Sequence, residues 1–104
     1  NIAFLMNRQG EWRLSPAFDI SYAYAPKGEW TSQHQMSING KRDDFERSDF
    51  IALAKLAGIK KVPADDMIDR VIHAVSRWSD FGDRAGVNQK RVEQIMAAQR
   101  TDLL

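Results

Sequence analysis

The chain has no cysteine. Disulfide staples, zinc–thiolate sites and a cysteine nucleophile are therefore excluded, and the composition fits the cytoplasm. No stretch approaches the roughly 20 apolar residues that a membrane span needs, so no membrane contact is expected. Charge of either sign is not in excess: 15 basic residues stand against 14 acidic ones, a net charge of +1. The basic residues fall in short pairs, Lys60-Lys61 and Lys90-Arg91, among acids. A nucleic-acid binder usually clusters them on one face, so direct nucleic-acid contact is not expected. Histidine is scarce. His34 and His73 show no metal-ligand spacing, and Ser15, Ser21 and Ser37 have no His/Asp partner nearby in sequence. Neither a histidine metal site nor a hydrolase triad has support. There is no internal repeat and no low-complexity run.

What is present suits one domain or part of one: 104 residues, 43% of them hydrophobic. The patterning predicts a mainly α protein with a small β-hairpin. Residues 1–45 read as hairpin, loop and short strands, and residues 46–104 as a helical subdomain. Ser48 is a candidate N-cap with Asp49 in the first turn, and Gly58 a helix stop. Pro63 suits the first position of a second helix, with Asp65, Asp66 and Asp69 near its positive end. Met67, Ile68, Val71, Ile72, Val75 and Trp78 form an apolar stripe expected to face the core, with a break near Gly82 and a stop at Gly86. Asn88 can cap a last helix whose Val92, Ile95 and Met96 face inward, and residues 101–104 are expected to fray. The two central helices resemble a helix-turn-helix in outline. The connection from Gly58 to Pro63 looks too long, however, and the acids opening the second helix would repel phosphates. Asn39-Gly40 is a strong two-residue turn signal.

The most specific pattern lies at the start. An apolar run, Ile2-Ala3-Phe4-Leu5-Met6, is followed by the turn cluster Asn7-Arg8-Gln9-Gly10 and a second run, Glu11-Trp12-Arg13-Leu14. Ser15-Pro16 ends the pair, because proline cannot donate to a ladder. If Met6 pairs with Glu11, Asn1 lies opposite Pro16. Asp19 is then three residues on, within about 10 Å at ~3.3 Å per residue. An amide oxygen and a carboxylate brought together in this way can share one divalent cation, since hard cations take oxygen ligands. Protein-kinase-like enzymes place a metal-binding Asn and a metal-binding Asp across such a hairpin. In a kinase reading residues 23–33 would occupy the place of an activation loop; read alone they are equally a surface loop pinned by a few aromatic anchors. They are unusually aromatic in their surroundings, with Tyr22, Tyr24 and Trp30. Ile2, Phe4 and Met6 point to one side of the first strand and Ala3 and Leu5 to the other. With both sides apolar, some cover or self-association through the hairpin is expected.

The string Asn-Ile-Ala-Phe-Leu-Met, followed by Trp-Arg-Leu-Ser-Pro-Ala-Phe-Asp-Ile-Ser-Tyr and by His34-Gln35-Met36-Ser37-Ile38-Asn39-Gly40-Lys41, closely resembles the HipA family of bacterial Ser/Thr protein kinases. The resemblance runs over nearly all of residues 1–104, most specifically up to Lys41, and corresponds to the C-terminal part of the family's full length. It implies a segment of a kinase C-lobe, with Asn1 and Asp19 holding Mg²⁺ and through it the phosphates of ATP. It implies transfer of phosphate to the hydroxyl of a protein substrate. It also implies the toxin role in a toxin–antitoxin pair, with a small DNA-binding antitoxin as partner. The family's catalytic-loop Asp, phosphate-covering loop and ATP-anchoring Lys correspond to positions upstream of Asn1. These 104 residues alone are therefore expected to be inactive. The competing expectation is a non-catalytic helical interaction domain, a degenerate kinase remnant. The codons upstream of Asn1 discriminate the two.

Overall fold

In the computed structural model, which describes residues 1–103, the chain is mainly helical with one small antiparallel hairpin. It divides into two compact units, Asn1–Gln33 and His34–Leu104. Among the described residues no helix is long and apolar enough to cross a membrane.

The first unit is built on β1 (Phe4–Met6) and β2 (Trp12–Leu14). Their register is Phe4 with Leu14, Leu5 with Arg13 and Met6 with Trp12, one residue off the expected pairing of Met6 with Glu11. The turn explains the shift. The Gly10 N–H donates to the Asn7 carbonyl at 3.1 Å, and the Asn7 N–H donates to the Glu11 carbonyl at 3.0 Å. Gly10 takes φ +84°. This is a three-residue loop with a left-handed closing glycine, one residue longer than a two-residue turn. The Asn7 side chain locks it: its Oδ1 accepts from the Gln9 and Glu11 N–H groups, and its Nδ2 donates to Glu11 Oε2 at 2.7 Å. The remainder, residues 15–33, has no regular element.

The second unit begins with a tight turn. Asn39 and Gly40 take φ +52° and +78°, and Ile38 and Lys41 exchange both backbone hydrogen bonds. This is the two-residue turn that Asn-Gly signals. Four helices follow: α1 (Arg47–Leu56), α2 (Lys61–Ser76), α3 (Trp78–Arg84) and α4 (Gln89–Ala98). The α1 cap is Glu46, two residues before the expected Ser48, because the Asp49 carboxylate takes the Glu46 N–H at 2.8 Å. Gly58, at φ +71°, stops α1 as expected. Helix α2 starts at Lys61, so Pro63 sits inside its first turn rather than at its first position. The α1–α2 connection is consequently residues 57–60. Its length no longer separates this pair from a helix-turn-helix, and only the acids of α2 argue against one.

The break after α2 falls at Arg77, not near Gly82. The Ser76 hydroxyl donates to the His73 carbonyl there, an alternative to the helical ladder. Gly82 instead lies buried within α3 against α4. A Cβ built on it would stand 2.7 Å from Val92 Cγ2. Gly86, at φ +70°, and the Asn88 side chain, accepting from the Lys90 N–H, end α3 and begin α4 as expected.

The core is small: among the described residues Ala54, Ala64, Val92 and Ile95 are the buried apolar ones, Val92 completely. Within the α2 stripe only the side bearing Ile68, Ile72 and Val75 turns inward. Met67 and Val71 are exposed, and so is Met96 on α4. The expected stripe spanned more of the circumference than one neighbouring helix covers. Residues 101–103 have no regular element, and the Leu103 carbonyl accepts from Arg47 Nε at 2.9 Å. Leu104 lies outside the described residues.

Candidate functional site

The open end of the hairpin carries the candidate residues Asn1 and Asp19. The ladder continues one step beyond β1, with the Ser15 N–H on the Ala3 carbonyl at 2.9 Å. Pro16 then ends it, and the chain turns back towards residue 1. Asn1 Nδ2 reaches Asp19 twice, donating at 2.9 Å to its carboxylate Oδ2 and at 2.9 Å to its backbone carbonyl. The two residues singled out in the sequence, 18 positions apart, are therefore in side-chain contact. Both are exposed. The one-residue register shift does not separate them, because the ladder fixes only the direction of return and residues 16–19 complete the approach.

Asp19 has backbone φ +50°. Only a minority of non-glycine residues enter this left-handed region, and Asp and Asn do so more readily than most. Such conformations concentrate at binding sites, where neighbouring structure holds them. No feature of the sequence signalled it.

Chemically the pair offers one carboxylate and one amide. Magnesium is commonly bound by one or two carboxylates, with phosphate oxygens and waters completing six positions. The donor set fits that pattern. In the present arrangement the amide nitrogen faces Asp19. Holding a cation requires the Asn1 amide to turn over, which presents Oδ1 instead, a rotation about one side-chain bond. Among the described residues no group of three or more His, Asp or Glu side chains converges as a metal cage.

The other candidates are structural. The His34 carbonyl accepts from Arg42 Nε at 2.7 Å, and its ring lies against Phe45 with centroids 5.5 Å apart. His73 is exposed on α2, and its carbonyl serves Ser76. Ser15 Oγ donates to the Pro16 carbonyl.

One residue was undervalued in the sequence. Asp49 is 1% exposed, the one buried charged side chain among the described residues. It accepts from Asn39 Nδ2, Lys41 Nζ and the Glu46 N–H, each at 2.8 Å. These bonds hold its carboxyl at about 2, well below the usual carboxylate range, with the Asn39 bond the largest cause. The Lys41 ammonium is pushed up in turn by its bond to Asp49. The sequence marked the Asn39-Gly40 turn and Asp49 separately, but nothing in it marked that the turn docks on the carboxylate. Every lone pair that matters is satisfied, so Asp49 is an anchor for the turn and not a ligand.

A family model described as the HipA-like C-terminal domain matches residues 1–102. No curated protein and no solved structure matches the chain.

Proposed function

The chain belongs to the HipA-like C-terminal domain family, and on that footing we propose that it is the metal-holding C-terminal part of a HipA-like Ser/Thr protein kinase. In this reading the intact enzyme moves phosphate from ATP to the hydroxyl of a protein substrate in the cytoplasm. It serves as the toxin of a toxin–antitoxin pair whose antitoxin is a small DNA-binding protein. The observation that carries the proposal is the contact between Asn1 and Asp19. Asn1 and Asp19 are the residues that would hold Mg²⁺, which would supply positive charge to offset the charge that develops during phosphoryl transfer. The chain's own part is to place the two ligands. The locked Asn7 turn fixes where β2 ends, Pro16 stops the ladder, and the left-handed backbone of Asp19 aims its carboxylate at Asn1. Asp19 supplies the charged oxygen and Asn1 the neutral one.

The test uses the intact kinase. Asp19→Ala and Asn1→Ala should each lower transfer of radiolabel from ATP by about a hundredfold or more. Thermal unfolding should change only slightly, because both side chains are exposed and no core volume is lost; Asp19→Asn, which tolerates the left-handed backbone, controls for the strain that alanine adds there. An Asp19→Ala enzyme with full activity at ordinary magnesium concentration would show the site to be misassigned.

A further inference from the structure

The turn that anchors α1 is built from a chemically labile pair. An asparagine amide carbon is open to attack by the backbone nitrogen of the next residue, and glycine, with no side chain, hinders that attack least. Asn39 and Gly40 are both exposed, and a Cβ placed on Gly40 would meet nothing within 4 Å. Water and the approach path are available. The fold is what withholds the reaction. With φ +52° and +78° the two residues form a type I′ turn, in which the Gly40 nitrogen points away from the Asn39 side chain. Ile38 and Lys41 close the turn by exchanging both backbone hydrogen bonds, at 2.9 and 3.0 Å. Asn39 Nδ2 is itself engaged, donating to Asp49 Oδ1 at 2.8 Å. Ring closure requires both the backbone and the amide to leave these positions. We infer that Asn39 is a latent deamidation site, shut by the docking of its turn on Asp49 and unable to shut again once the reaction has occurred.

In the reaction the Gly40 nitrogen bonds to Asn39 Cγ and the Cγ–Nδ2 bond breaks. Nδ2 departs as ammonia with the proton that the Gly40 nitrogen gives up. Water then opens the cyclic imide at one of its two carbonyls, and no oxidant or reductant is needed. Opening at Cγ leaves an aspartyl residue at position 39. Opening at the main-chain carbonyl leaves an isoaspartyl residue, with the chain running through the former side chain. Both products undo the dock. The donor that stood 2.8 Å from the buried Asp49 carboxylate is replaced by an anionic oxygen, and like charges this close repel. Lys41 does not relieve this, because its ammonium is already shared between Asp49, at 2.8 Å, and Glu46, at 3.7 Å. The isoaspartyl product also lengthens the backbone, so Ile38 and Lys41 no longer face each other across a two-residue turn. The Asp49 carboxylate takes the Glu46 N–H as well, so the change reaches the cap of α1.

The test ages the chain at mildly alkaline pH, native and in guanidinium chloride. The tryptic peptide of residues 28–41 is followed by mass spectrometry for the gain of an amide-to-acid conversion. Conversion at Asn39 should be about tenfold slower or more in the native chain, since the turn must open first. Asn88, followed by the bulkier Gln89, should convert more slowly than Asn39 in the denatured sample. The consequence is read separately in urea melts of Asn39→Asp, a pure form of one product whose side chain accepts the left-handed backbone. Its midpoint at neutral pH should lie below that of the native chain. Two results overturn the proposal. One is equal conversion of Asn39 in the native and denatured chains, which would mean that the docked turn protects nothing. The other is an Asn39→Asp chain with the native midpoint, which would mean that the product redocks.

Discussion

At the residue scale two carboxylates have opposite jobs. Asp19 is exposed and held by one neighbour, Asn1, in a conformation that costs backbone strain. Asp49 is buried, with donors from three residues. The first is suited to exchange partners with a cation, and the second is not. Asp49 also sets a pH dependence. Its carboxyl is lowered from an ordinary 3.8 to about 2, so its contribution to stability is complete above about pH 4. That contribution is lost as pH falls towards 2, where the folded-state carboxylate takes up a proton. Acid titration followed by circular dichroism should show the native chain losing stability through this window. In Asp49→Asn stability should be lower at neutral pH, with a weaker dependence between pH 4 and 2. Parallel acid profiles for the two proteins would mean that Asp49 is not the anchor described. In sequence Asp49 looked like an ordinary first-turn acid. Its burial depends on a turn eight to ten positions away docking on α1, and local periodicity carries no information on that docking.

At the element scale the helices were largely legible, because glycines and an Asx cap punctuate them. Gly58, Gly86 and Asn88 sit where left-handed stops and a cap belong. The starts were less legible. Ser48 is a better intrinsic cap than Glu46, but Asp49 pays the Glu46 N–H from the side, and a tertiary anchor outranked propensity. Gly82 misled for a related reason. It reads as a helix break, yet it is the point where α3 admits the Val92 side chain. This yields a prediction in which two effects oppose. Gly82→Ala gains about 1 kcal/mol of helix propensity. The added methyl would meet Val92 Cγ2 at 2.7 Å, and Val92 is β-branched and wholly buried, so it yields poorly. Overpacking of this kind costs about 1–3 kcal/mol. Urea melts should therefore show a net loss of up to about 2 kcal/mol. A stabilised Gly82→Ala would mean that the α3–α4 approach is looser than described.

At the scale of the whole molecule, the two units differ in how far they are finished. The helical unit has a core. The first unit, among its described residues, buries none. Phe4, Met6, Trp12 and Leu14 share one face of the hairpin and are each 58–67% exposed. A two-stranded hairpin is marginal on its own in water, and an apolar face of this kind is sticky. Residues 1–104 should bind an environment-sensitive apolar dye and sediment with concentration-dependent mass, and Trp12→Lys should reduce both. Strictly monomeric behaviour without dye binding would mean that the hairpin face is covered from within. The family and the approach of Asn1 to Asp19 were legible at the hairpin because its motif is specific over residues 1–41. The register was not, because it turned on one residue of loop length. The central claim is that Asn1 and Asp19 form a cation site, and Mn²⁺ titration of the isotope-labelled chain by NMR tests it most directly. Paramagnetic broadening should appear first around Asn1 and residues 17–20, be reversed by excess Mg²⁺, and disappear in Asp19→Asn. Broadening centred on Asp43 and Asp44 or on the acids of α2, and unchanged in Asp19→Asn, would contradict it.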